Sequence, residues 1–295
     1  MRVFLTGATG YIGGAICAAL RAHGHAVVGL ARTAEAAMKV SAAGGTPLAG
    51  DLDDGAALAA AARDTDGVIH AGAVRGPAMA ETDEAAVHVL LAALEGSHKP
   101  FIYTSGAFVY GDTGDGVAGE DHPLAADSII PWRQALEREV IAAAARGVRS
   151  VVVRVPLVYG NGGSFIIPRL LGLARAEGCA HYVGTGENRW SAVHVDDLAD
   201  LFVRALHGAP AGATFNAAAG APVRWSALAA AISRAAGVGG RVTPWTVDDA
   251  RAAFGPYAPG FLQNQQLSSE RAMTALGWRP HRPSVLDDVE HGSYA

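Results

Sequence analysis

Residues 2–14 read RVFLTGATGYIGG, an apolar run followed by glycines at 7, 10 and 13 in the spacing G-x-x-G-x-x-G. The run before the glycines has the composition of a buried strand, and the alanine-rich stretch after them has the apolar spacing of an amphipathic helix. A glycine turn between the two lets backbone N–H groups and the helix amino terminus face a pyrophosphate with no side chain in the way. The motif alone is a weak signal, but its mechanism demands a strand before and a helix after, and both are here. Gly7, Thr9, Gly10, Tyr11, Ile12 and Gly13 are therefore the expected contacts to a dinucleotide.

The same alternation continues outward from this loop. HAVVGLA, TPLAG, GVIHAGA, KPFIYTSG and RSVVVRVPLV read as further strands, with helices near 11–23, 54–63, 80–96 and 132–146. Strands apolar at successive positions are buried on both faces, so helices must cover both sides. The fold class is α/β, a Rossmann-type doubly wound parallel sheet with a smaller C-terminal α/β substrate-binding region. After Pro156 the rhythm changes to glycine- and aromatic-bearing loops, helices near 164–177, 195–207 and 225–236, and a short strand around ATFNAA. The expected division is 1–156, mainly NAD(P)-binding, and 157–295, mainly substrate-binding, with segments crossing between the two. Ligands of open α/β sheets settle beyond the carboxyl ends of the strands. The pocket is thus drawn from loops around 74–84, 112–131, 160–190 and 255–266.

Composition narrows the partners. With 295 residues and 50% hydrophobic content the chain can bury a large core. A net charge of −5, without a dense run of Lys or Arg, points away from nucleic acid. Only Cys17 and Cys179 occur, which reads as buried thiol in a reducing cytoplasm. The first residues run straight into the glycine loop with no signal core, and no apolar stretch reaches the roughly 18 residues of a membrane span. No His, Cys or Asp constellation has metal-ligand spacing, so no metal is expected. The expected partner is a small-molecule substrate.

The end of the second strand selects the cofactor. A carboxylate there would bond both ribose hydroxyls and favour NAD. GLART offers Arg32 instead, whose planar fork suits a 2′-phosphate, so NADP is favoured over NAD. Asp51 and Leu52, after the third strand, are placed to flank the adenine.

GATGYIG, GDL (50–52), HAGA (70–73), YTSGAFVYG (103–111), RVPLVYG (154–160), HVDDLA (194–199) and LGWRP (276–280) occur in one order along the chain. Together they resemble the extended short-chain dehydrogenase/reductase superfamily, which groups NAD(P)-dependent sugar epimerases, dehydratases and reductases. The resemblance covers almost the whole chain and implies a Rossmann domain, a small carboxyl-terminal substrate domain and a homodimer built through two long helices. It puts Ala71, Gly72 and Ala73 against the cofactor ribose, Thr104 beside them, and Pro156 and Val158 near the nicotinamide.

Members of that superfamily usually catalyse with a serine after strand five and a Tyr-x-x-x-Lys at the start of the next helix. Here the serine position is Gly106, with Ser105 as its neighbour. If Glu137 matches the helical glutamate that follows the lysine, the lysine position is Arg133 and the tyrosine position Ile129. The only lysines, Lys39 and Lys99, follow glutamates at the four-residue spacing, so the motif occurs nowhere. Arg133 can keep the ribose-binding role but is too strong a base to relay protons. Ser105, Tyr110, Tyr159 and His194 are the candidate proton donors, while His194 can equally cap the helix opened by Asp196 and Asp197. Trp132 and Trp190 could wall a substrate or belong to the core. The leading expectation is an NADP-dependent oxidoreductase of a small organic carbonyl, imine or alcohol with a non-standard proton donor. The alternatives are a sugar-nucleotide epimerase or dehydratase, and a non-catalytic NADP-binding sensor.

Overall fold

The computed structural model describes residues 1–295. Seven strands lie parallel in one sheet: β1 (Arg2–Thr6), β2 (Ala26–Ala31), β3 (Thr46–Ala49), β4 (Gly67–His70), β5 (Pro100–Gly106), β6 (Arg149–Val155) and β11 (Ala213–Asn216). Their order is β3-β2-β1-β4-β5-β6-β11, so the direction of winding reverses between β1 and β4. Successive residues of each strand serve opposite faces. Val3, Leu5, Ile69, Ile102 and Val153 meet α1 (Tyr11–Ala22), α2 (Ala34–Ala42), α7 (Val195–Gly208) and α10 (Glu270–Leu276). Phe4, Val68, Phe101, Tyr103 and Val152 meet α3 (Gly55–Asp64), α4 (Met79–Leu94) and α5 (Pro131–Ala142). This is the doubly wound sheet expected from unbroken apolar strands.

Local chemistry sets the helix ends. Pro131 opens α5, where its missing N–H would have no partner anyway. The last turn tightens to 3-10 geometry over Ala143–Arg146 and stops at Gly147 with φ +73°. Together these fill the expected 132–146 span. Helix α2 was not expected from apolar spacing; the Thr33 hydroxyl caps it by accepting from the Ala36 N–H at 3.1 Å. Burial fixes the longer helices, since α4 turns Leu90 and Leu94 wholly inward, and truncating either to alanine would cost about 2–5 kcal/mol.

RSVVVRVPLV, expected as one strand, is two. Pro156 has no N–H to give a ladder, so β6 ends at Val155 and β7 (Leu157–Gly160) starts a second sheet. That sheet runs β12 (Ala219–Arg224), β10 (Arg189–His194), β7 and β8 (Gly163–Ser164). β7 pairs parallel with β10, and both outer pairs are antiparallel. A separate parallel pair joins β9 (Ala180–Val183) to β13 (Val242–Trp245). α6 (Ile167–Glu177), α8 (Trp225–Ala235), α9 (Val247–Phe254) and α11 (Val285–His291) complete a second core around Trp190, Trp225 and Phe261. β11 returns to the first sheet as its edge beside β6, and α7 packs on α1. No helix is long and apolar enough to cross a membrane.

Candidate active site

All seven strands of the large sheet point the same way, so the glycine loop, Arg32, Asp51, Ala71, Thr104 and Pro156 gather at one edge. Gly7 has φ +72°, and a Cβ there would stand 2.5 Å from the Ala71 carbonyl oxygen. At Gly13 a Cβ would lie 2.0 Å from the Gly7 oxygen. Only glycine permits both approaches, which pack the loop between β4 and α1. The amino end of α1 begins at Gly10 with no side chain capping it. Its first-turn amides thus remain available to an anion, and the loop fits the diphosphate that its spacing suggests. Thr9 is exposed in this turn. The Tyr11 side chain turns the other way: its hydroxyl donates to the Gly160 carbonyl at 2.8 Å.

Arg32 lies exposed just past β2 and enters no ion pair or hydrogen bond within the chain. Asp51 turns inward on its own loop, its carboxylate accepting from the Asp53 N–H at 3.0 Å. Leu52 is 8% exposed and packs with the core of the α3–α4 face.

A cavity of about 370 Å³ opens between the sheet edge and the second region. Ile12, Ala71, Gly72, Ala73, Thr104, Arg133, Pro156 and Val158, all expected at the cofactor, line it together. The opposite wall is aromatic: Phe108, Phe165, Trp190, Tyr257 and Phe261. Met79, Ile130, Phe165, Trp190 and Tyr257 come from the loops and loop ends named above as the pocket's source.

Arg133 stands at the opening turn of α5, on the cavity wall. One of its nitrogens donates to the Tyr103 hydroxyl at 2.9 Å and to the Thr104 carbonyl at 2.8 Å, and its guanidinium stacks 4.5 Å from the Trp132 ring. Behind it, Tyr103 donates to Asp83 Oδ2 at 2.7 Å, and His70 Nε2 meets Asp83 Oδ1 at 2.8 Å. His70 Nδ1 contacts the Thr6 hydroxyl at 2.9 Å, which also accepts from the Gly72 N–H at 3.0 Å. An ionised carboxylate only accepts, so His70 Nε2 carries a proton toward Asp83. Burial works against ionising Asp83. The His70 hydrogen bond and the charges of His70 and Arg133 outweigh it and hold the carboxyl below its ordinary range. Burial pushes the Tyr103 phenol well up, with Arg133 opposing.

Of the four candidate proton donors only Ser105 lines the cavity. It is 2% exposed and its hydroxyl has no hydrogen-bond partner. Tyr110 is buried elsewhere, donating to Asn216 at 2.8 Å and accepting from Arg154 at 2.6 Å. Arg154 in turn grips Glu137 through two nitrogens. The Tyr159 hydroxyl donates to the Pro283 carbonyl at 2.6 Å, and burial, reinforced by Asp197, pushes its pKa up. His194 caps α7 by accepting from the Asp196 N–H at 3.1 Å, with its ring edge-on to Tyr159. These three brace loops and helix ends and do not reach the cavity. Sequence reasoning missed Asp83, Tyr257 and Gln265. Tyr257 and Gln265 fall within the 255–266 loop and Asp83 within the 74–84 stretch, but nothing in their neighbours singles them out, and Asp83 looks like any polar residue on a helix.

Residues 3–218 match the family model described as the NAD dependent epimerase/dehydratase family, and the chain belongs to that family. An uncharacterised protein of Saccharomyces cerevisiae is 36% identical over 98% of both chains. A Streptomyces protein named 3-diazoavenalumate denitrifying reductase is 30% identical, over 98% of this chain and 99% of its own. Among solved structures, the dTDP-glucose 4,6-dehydratase DesIV of Streptomyces venezuelae, with NAD and TYD bound, superposes with TM-score 0.81. It covers 99% of this chain and 96% of its own at 20% identity, a likeness of fold.

Proposed function

We propose that this protein is an NADP-dependent oxidoreductase acting on a small organic carbonyl, imine or alcohol. The observation that carries the reading is the cavity itself, where Ala71, Gly72, Thr104, Arg133, Pro156 and Val158 meet an apolar substrate wall. The glycine loop would hold the diphosphate, and Arg32, unpaired at the end of β2, would bind the 2′-phosphate and give the preference for NADP. The Arg133 nitrogens left free by Tyr103 and Thr104 would donate to the nicotinamide ribose hydroxyls. Bound there, the dihydronicotinamide supplies the hydride. A homodimer in the cytoplasm is part of the same reading.

The chain's own part is to orient the carbonyl or imine and bring the proton. Ser105 has a free hydroxyl to donate to the substrate heteroatom. Tyr257 is, with Arg133, one of only two titratable side chains in the wall, and its phenol meets nothing better than the Met79 sulfur at 3.6 Å. We assign the proton to Tyr257. Relatives named as reductases support oxidoreduction over epimerisation. The wall holds no cation beyond Arg133 to receive a nucleotide diphosphate, which also disfavours the epimerase reading. The test is calorimetry with NADPH and NADH, followed by NADPH oxidation across a panel of aldehydes, ketones and imines. Tight NADPH binding with turnover supports the proposal. No heat with either nucleotide removes it, and binding without turnover on any panel member reduces the protein to a sensor.

A further inference from the structure

Three residues that line the cavity each bury a polar side-chain atom without any partner: Thr104 Oγ1, Ser105 Oγ and Gln265 Oε1. Gln265 is 3% exposed and lies on a strip that bridges Trp190, away from the sheet edge that carries Ser105. Its amide is not free to turn over. Nε2 donates to the Gly111 carbonyl, a bond the oxygen could not make, so Oε1 is left as a pure acceptor. A buried polar atom without a partner is costly, and in a ligand cavity the ligand is the natural source of one.

The rest of the wall restricts that ligand further. Phe108, Trp190 and Phe261 form a run of ring contacts at 5.5 Å, and Phe165 meets Tyr257 edge-on at 5.9 Å. Arg133 is the one charged lining residue, and the buried Asp83, 3.7 Å away, already balances it. An anionic substrate would lose its hydration and find no unpaired cation. At about 370 Å³ the space is near the small end for ligand sites and must also admit a nicotinamide ring.

We infer that the substrate is a neutral aromatic carbonyl compound carrying its own N–H or O–H donor, which Gln265 Oε1 accepts while Ser105 donates to the carbonyl. The inference rests on the proposed function for the carbonyl end; the donor end stands on Gln265 alone.

The experiment is a tryptophan-fluorescence titration of the full chain, with and without NADP+, using 3-hydroxyacetophenone and 3-methoxyacetophenone, with UDP-glucose as competitor. The phenol should bind about tenfold tighter than its methyl ether. Gln265→Leu should erase that preference while keeping affinity for the ether, and UDP-glucose should displace neither. Equal affinity for the two probes, a preference that survives in Gln265→Leu, or displacement by UDP-glucose overturns the inference. If the variant does not fold, the contrast between probes on the unaltered protein still decides. Failure of NADP+ to bind would sink the oxidoreductase reading, whereas the probe contrast without cofactor reads the donor site by itself.

Discussion

The Arg133 guanidinium lies 3.7 Å from the buried carboxylate of Asp83. A guanidinium cannot cycle a proton, so the two make a fixed, mutually balanced ion pair, held in place by Tyr103 and reaching back through His70 and Thr6 to the Gly72 amide. On the proposed reading Arg133 gives the ribose a rigid partner and gives up proton relay. The proposed proton transfer then falls to Tyr257, with Ser105 donating to the substrate heteroatom.

Asp83→Asn tests the anchor. Its folded-state pKa is depressed, so its contribution is present above the unfolded value near 4 and is lost as pH falls through the folded one. At neutral pH the variant should be less stable by about 1–3 kcal/mol, since an amide can still accept from Tyr103. Urea unfolding should show this deficit narrowing as the pH drops below about 4. A deficit that is flat with pH would mean that the Asp83 charge does not matter.

Arg133→Lys is not a conservative change here. An ammonium could meet Tyr103 and Thr104 from its one nitrogen as Arg133 does, but it has no second nitrogen left for a ribose hydroxyl and no flat face to stack on Trp132. NADPH affinity should fall about tenfold, with melting temperature lowered as well. Calorimetry in parallel with thermal unfolding separates the two effects; unchanged affinity would free Arg133 from the ribose.

Arg32→Asp should reverse cofactor choice. Loss of a charge-assisted bond and introduction of a like charge would weaken NADPH by about a hundredfold, while the new carboxylate can accept from the ribose hydroxyls of NADH. Arg32 is exposed and has no partner in the chain, so folding should not change. The ratio of the two dissociation constants, compared between variant and parent, is the measurement. An unchanged ratio would place the 2′-phosphate elsewhere.

Tyr257→Phe removes the proposed acid and little else, because the hydroxyl touches only the Met79 sulfur. The maximal rate should drop on the order of a hundredfold with substrate KM little altered. A loss shared equally by an activated imine, already protonated, would argue for a packing role instead. Such a substrate should be largely spared.

How much of this was readable beforehand follows from what each residue depends on. The glycine loop was legible because its spacing, its strand and its helix are local. So were Ala71, Gly72, Pro156 and Val158, which sit at strand ends inside recognisable blocks. Pro156 also carried a warning that RSVVVRVPLV could not be one strand, since a proline cannot donate to the middle of a ladder. Asp83 was hidden because it sits on a helix and its partners, His70 and Tyr103, come from two separate strands. Tyr257 and Gln265 were hidden because a 3-10 segment and an irregular strip have no period to reveal a face. Tyr110 and Tyr159 looked available in their VYG turns, and only the packed structure assigns their hydroxyls to Asn216 and Pro283.

Tyr110→Phe and Ser105→Ala should therefore behave in opposite ways. The Tyr110 hydroxyl lies between Arg154 and Asn216 and is no part of the cavity wall, so its loss strands buried partners and costs about 1–3 kcal/mol of stability. Turnover by the folded fraction should stay near the parent value. The Ser105 hydroxyl has no partner in the chain, and deleting it removes a buried group that gains nothing from folding. Stability should hold or rise slightly, while kcat/KM falls about tenfold through loss of one bond to the reacting heteroatom. Denaturant midpoints and initial rates on the two variants give four numbers. If Tyr110→Phe were the catalytic lesion and Ser105→Ala the structural one, the cavity bounded by Arg133 and Trp190 would not be where the chemistry happens.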